Sequence, residues 1–171
     1  VLNKDSNDAT LIIAGTNTTI AGTIDGAATG EGILQITGAG TTISGEVGVG
    51  TTDLSAIDVN ATTTFSAKTE AVAYTVDADT TFTGTVLANT GTTIGTSGTD
   101  VILTAASNTG VTALAASTTL TANNTLATVA TTLAAGSTLT ANGVMTTTGD
   151  VTVTSGTLNL NVASNVIDHL I

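Results

Sequence analysis

Thirteen acidic residues stand against two lysines, Lys4 and Lys68, so any chemistry in this chain has to run on carboxylates. The spacing best suited to a shared ligand is Asp77–Ala78–Asp79. Alternate residues of an extended segment point the same way, which puts both carboxylates on one side, as in some Ca²⁺ sites. Asp77 and Asp79 are therefore the candidate metal ligands, and Ca²⁺ is the one cofactor the residues suggest. Asp5 and Asp8, with Asn3 and Asn7, form a second polar cluster. Solvated turn carboxylates account for both patterns equally simply. The single histidine, His169, has no suggested partner for a catalytic triad or an imidazole metal site. A glycosidase pair needs carboxylates held ~5–10 Å apart across a groove, and sugar platforms are scarce with Phe65, Tyr74 and Phe82 as the only aromatics. The Gly-rich stretch Gly26–Gly32 lacks the Gly-Lys-Ser/Thr ending of a phosphate loop. No catalytic or cofactor-binding side chain is assigned, and the expectation is a non-enzymatic protein.

The elements that would carry these residues announce themselves by repetition. Two or three Thr (or Ser-Thr, Gly-Thr) precede one large apolar residue at Ile20, Ile43, Phe65, Phe82, Leu120, Leu139 and Leu158. The steps between them are 23, 22, 17, 38, 19 and 19 residues, the 38 reading as two steps of about 19. A repeat of roughly 20 residues cannot close its own core and must be completed by its neighbours. Composition agrees. Thr is roughly a quarter of the chain, aromatics are 2%, charged residues are 9%, and Pro and Cys are absent. Branched and small side chains suit narrow, strand-rich coils better than a wide globular core. The predicted fold is a single all-β domain over 1–171, a parallel β-helix (β-solenoid) of about eight rungs. The alternative, an antiparallel β-sandwich, would show Asn-Gly or Asp-Gly hairpin signals at regular spacing, and Asp25-Gly26 and Asn142-Gly143 are not regular.

Register is clearest near the end, where Thr119–Ser137 aligns with Thr138–Gly156 through a shared TLTAN opening and Thr157 begins a third copy. Apolar residues alternate with Thr there, as one-sided strands require. Asp100–Thr104 is expected to be a wholly inward apolar run. Outward Thr stacked on such a solenoid can order water and bind ice, and Thr121, Thr140 and Asn159 fall in line for it. The unequal N-terminal rungs are expected to break that array.

A net charge of −11 excludes phosphate-backbone binding, which needs clustered Lys and Arg, and argues against anionic membrane surfaces. No apolar run approaches a ~20-residue membrane span, so no membrane insertion is expected. Without Met at position 1, the sequence reads as a mature product or a piece of a longer chain.

The rungs TTISGEVGVG, TTFTGTVLANTG and STLTANG resemble, over nearly the whole chain, the passenger repeats of bacterial autotransporters, above all large rickettsial surface antigens and related surface-layer proteins. The resemblance implies a right-handed parallel β-helix at the extracellular face of a bacterial cell. It implies a structural role: adhesin passenger, surface layer or self-associating filament subunit. Partners would be further copies, stacked end to end or in a lattice, and host or neighbouring-cell surfaces. The membrane barrel that follows such passengers is not among these residues, so the match is to a passenger segment or a free relative. A carbohydrate-active β-helix is the enzymatic alternative, and an ice-binding solenoid the other.

Overall fold

The computed structural model describes residues 1–2 and 9–171, and among these every paired strand is parallel to its neighbour. The chain is a β-solenoid of about eight turns, as the repeat predicts. Each turn crosses three sides in the order A, B, C. Side B is an eight-stranded sheet, and a twelve-stranded sheet bends round a corner to supply sides A and C. In one turn, Val111–Leu114 lies on A, Thr119–Ala122 on B and Leu126–Thr128 on C. At the ~4.8 Å spacing of neighbouring strands the stack is about 35 Å long.

Alternation along each strand sends every second residue inward, and stacking converts those residues into ladders. Ile13, Ile36, Val59, Val76, Ile94, Leu114, Leu133 and Val153 occupy one column of side A. A shared aliphatic column replaces the core that one turn could not build. Phe65 stacks on Phe82 from the adjacent rung, with ring centroids 4.8 Å apart and planes 5° from parallel, and Tyr74 meets Phe82 edge-on at 6.1 Å.

The Thr-Thr-apolar phrase does not keep one column throughout. Ile20, Ile43, Phe65 and Phe82 stack in register, but Phe82 is followed by Leu103, Ala122, Ala141 and Leu160. Leu120, Leu139 and Leu158 instead continue the column of Thr80 and Val101. The phrase therefore slips by two residues, one inward position, between the two halves. Parity is kept by a two-residue slip, so the apolar residue still faces in. Asp100–Leu103 is a strand of alternating orientation rather than a wholly inward run: Val101 and Leu103 are buried, while Ile102 is 38% exposed.

Unequal rung lengths are absorbed at the two corners that flank side A. From side B to side C the chain takes four residues in turn after turn (Ile20 to Ile24, Ile43 to Val47, Phe65 to Thr69, Leu103 to Ser107, Ala122 to Leu126). From side C back to side A it takes ten residues early on, Ile24 to Leu34 and Val47 to Ile57, but five or six in later turns, as from Leu126 to Thr131 and from Met145 to Val151. From side A to side B it takes between six, Val59 to Phe65, and nine, Ile94 to Leu103. Two glycines show how tight the corners are. A Cβ on Gly45 would collide with the Gly22 backbone of the rung before. Gly110, at φ 60°, would bring one within 2.7 Å of the Thr90 carbonyl oxygen.

Candidate functional surface

Asp77 and Asp79 lie on the corner between sides A and B, and each is engaged by the following rung. Thr96 Oγ1 donates to Asp77 Oδ1 at 3.0 Å, and the Asp100 backbone N–H donates to Asp79 Oδ1 at 2.9 Å. Asp100 in turn accepts from the Thr119 hydroxyl. The two carboxylates thus tie rungs together separately. Among the described residues no three acidic or histidine side chains converge as a metal would require. Partial burial raises the Asp58 carboxyl above its ordinary value of 3.8, the Asp77 charge pushes the same way, and the Thr75 hydroxyl opposes both. The polar cluster of Asn3, Asp5, Asn7 and Asp8 lies outside the described residues. His169 Nδ1 lies 3.2 Å from Asp150 Oδ1, with both side chains largely exposed.

Polar groups inside the solenoid are mostly paired, because an unpaired buried hydroxyl costs about 1–3 kcal/mol. Asp53 is buried at the corner between sides C and A, where its carboxylate accepts from the Gly30 N–H at 3.1 Å and from Asn89 Nδ2 at 2.6 Å. Thr109 and Thr112 hydroxyls bond at 2.7 Å, and one rung later Thr128 and Thr131 repeat the pair at 3.1 Å. The rung before has the second partner, Thr92, but Asn108 pairs with Leu87, so the residue in register with Thr109 is Ala88. Thr92 Oγ1 is accordingly buried without a partner. Tyr74 and Thr69 hydroxyls are also buried without hydrogen-bonding geometry. Burial pushes the Tyr74 phenol well above its ordinary 10.0; the neighbouring Thr69 hydroxyl pulls against this, and the Glu70 and Asp53 charges add to it.

The most regular exposed feature is side B. Its strand pairing runs without a register shift through all eight strands. Side A, by contrast, carries a bulge between Ala71 and Ala73. Three outward columns result. The central one is Thr19, Thr42, Thr64, Thr81, Ile102, Thr121, Thr140 and Asn159. The column toward side C carries Ser44, Ser66, Thr83, Thr104, Asn123, Asn142 and Asn161, whose backbone N–H groups each bond the rung before. Toward side A the column holds Thr62, Asp79, Asp100, Thr119, Thr138 and Thr157. Side-chain bonds stitch the rungs laterally: Asn142 Nδ2 to Asn123 Oδ1 at 2.9 Å, Asn161 Nδ2 to Asn142 Oδ1 at 2.7 Å, and Asn159 Nδ2 to Thr140 Oγ1 at 3.3 Å.

The sequence placed Thr121, Thr140 and Asn159 in line, as the structure does, but it wrongly expected the uneven N-terminal rungs to interrupt the array. The extra residues leave at the corners flanking side A, and the register of side B passes straight through, with Ile102 the one apolar residue in its central column. A signal was present: three of the four early phrases are followed by a hydroxyl two residues beyond their last Thr, at Ser44, Ser66 and Thr83.

The fold and this surface define a three-sided parallel β-solenoid with one hydroxyl- and amide-rich face. Comparison with family models, with curated proteins and with solved structures gives no match for this chain.

Proposed function

We propose that this chain is a non-enzymatic structural solenoid of a bacterial cell surface, of the adhesin-passenger, surface-layer or filament-subunit kind. The observation that carries the reading is the continuity of the inward ladders. Aliphatic columns run the length of the stack with hydroxyl-rich sides around them, the build that the resemblance to autotransporter passengers implies. A solenoid of this kind is a rod whose length scales with rung number, suited to spacing and display. Its strand edges favour further copies as partners, since parallel strand addition continues both hydrogen bonds and aliphatic columns. Negative-stain microscopy with sedimentation over a wide concentration range tests the reading. Rods that lengthen into fibres or order into a lattice as concentration rises are the expected result. Single particles at every concentration, with no labelling of intact producing cells by an antibody to the chain, would reject it.

A further inference from the structure

We infer that side B is a binding face for crystalline water, engaging the surface of ice through its three outward columns; this does not depend on the structural role above. Two repeats define the face: about 4.8 Å between rungs and about 6.7 Å between alternate residues on a strand. Water oxygens on a prism face of hexagonal ice also form a two-way grid, whose shorter repeat is close to the rung spacing and whose longer repeat is somewhat larger than the alternate-residue spacing. The hydroxyls and amides at most of the grid points each hold a water where the lattice needs one. Immobilising a water costs up to ~2 kcal/mol when it comes from the liquid, and at an ice surface that ordering is already done. Many weak contacts then act together, as in any multivalent attachment.

Rigidity supports the match. Strand sheets normally twist, and flat ones depend on stacking and side-chain ladders. Side B has both: unshifted parallel register, and the Asn123–Asn142–Asn161 amide ladder. Beneath it, the inward hydroxyls of Thr41, Thr63 and Thr80 donate to the corner carbonyls of Gly38, Ala61 and Ala78 at 2.6–2.7 Å, fixing where each strand begins.

Charge and area select this occupant over a protein. The chain carries a net −11, yet the outward columns named on side B hold no charge except Asp79 and Asp100 at one margin. Such a face complements a neutral lattice. The grid covers about 450 Å² at strand spacings, short of the ~800 Å² a side that a specific protein partner buries. It also lacks the Trp, Tyr or Arg anchors on which protein interfaces depend. Side A is less regular: its matching outward column runs Ile12, Gln35, Asp58, Thr75, Thr93, Ala113, Thr132 and Thr152, with a bulge beside it between Ala71 and Ala73.

The test is partition of the whole chain into a slowly growing ice hemisphere, together with inhibition of ice recrystallisation. Wild-type protein is expected to enter the ice and keep crystals small. Thr121→Tyr/Thr140→Tyr, which breaks the central column, is expected to lose both activities. Thr132→Tyr, an outward residue of side A, is expected to keep them. Thr64→Tyr/Thr81→Tyr supplies the same break in the other half should the first pair fail to fold, with circular-dichroism melts verifying every variant. Exclusion of the wild-type protein from ice, equal loss in Thr132→Tyr, or binding to crystalline cellulose without binding to ice would each overturn the inference.

Discussion

The early and late rungs solve one packing problem in two ways. In the early turns the interior is filled by bulk: Phe65 stacked on Phe82, Tyr74 edge-on, and Leu34 and Ile57 in the column beside them. In the late turns the matching positions hold Ala122 and Ala141 on side B and Thr112 and Thr131 on side A. There the buried hydroxyls pair with Thr109 and Thr128. The bulkiest side chains sit in the shortest turn, the 17 residues from Phe65 to Phe82, and the small ones in turns of 19 to 20 residues. A coil can be stabilised by apolar volume, or by small residues provided every hydroxyl finds a partner. The second solution is less forgiving, because its stability depends on matched pairs rather than on area alone.

The sharpest way to break this contrast is to remove bulk from the early half. Phe82→Ala deletes a ring held between two others and is expected to cost about 3–5 kcal/mol. Leu139→Ala in the late half, where the neighbours in the column are Leu120 and Leu158, should cost about 2–4 kcal/mol. Denaturant melts compare the two, and equal losses would mean that the aromatic cluster contributes no more than an ordinary ladder rung.

Hydroxyl pairing gives the next effect. Thr112→Val leaves Thr109 buried without a partner and should destabilise by about 1–3 kcal/mol. Thr109→Val/Thr112→Val should recover most of that loss. Thr92→Val should instead raise stability, by about 1 kcal/mol, since that hydroxyl already lacks a partner. A loss in Thr92→Val comparable to that in Thr112→Val would show that pairing is not what separates the two positions.

The smallest effect concerns Asp58. Its carboxyl titrates higher in the folded chain than its ordinary value, so the folded state binds more protons across that interval and stability falls as pH rises through it. Asp58→Asn should therefore raise the melting temperature slightly at neutral pH. The difference should vanish below about pH 3.8, where the native side chain is protonated in both states. A benefit that persists undiminished in acid would point to packing rather than charge.

Much of the fold was legible because a short repeat imposes its own geometry. Ile20, Ile43, Phe65 and Phe82 fell into one column as the spacing implied, and Thr119, Thr138 and Thr157 fell into register. The slip of Leu120 relative to Phe82 was not legible: a phrase that moves by two residues keeps its inward parity, so the text looks unchanged. Ile102 misled for the opposite reason, because an unbroken apolar run hides alternation that the backbone enforces. The Thr109–Thr112 pairing left no trace, since inward and outward Thr are written identically.

Sequence alone decided that this chain would stack, because turns of about twenty residues with branched and small side chains have no other way to bury their aliphatic positions. It also decided charge, and with it the classes of ligand that clustered cations would be needed to hold. Only the tertiary structure decided where the spare residues of each turn go. The corners flanking side A took them up, since a loop can leave the stack there without breaking ladder hydrogen bonds. One side was thereby left with columns made mostly of hydroxyl and amide groups in unbroken register, a regularity that belongs to the relation between turns and to no single turn.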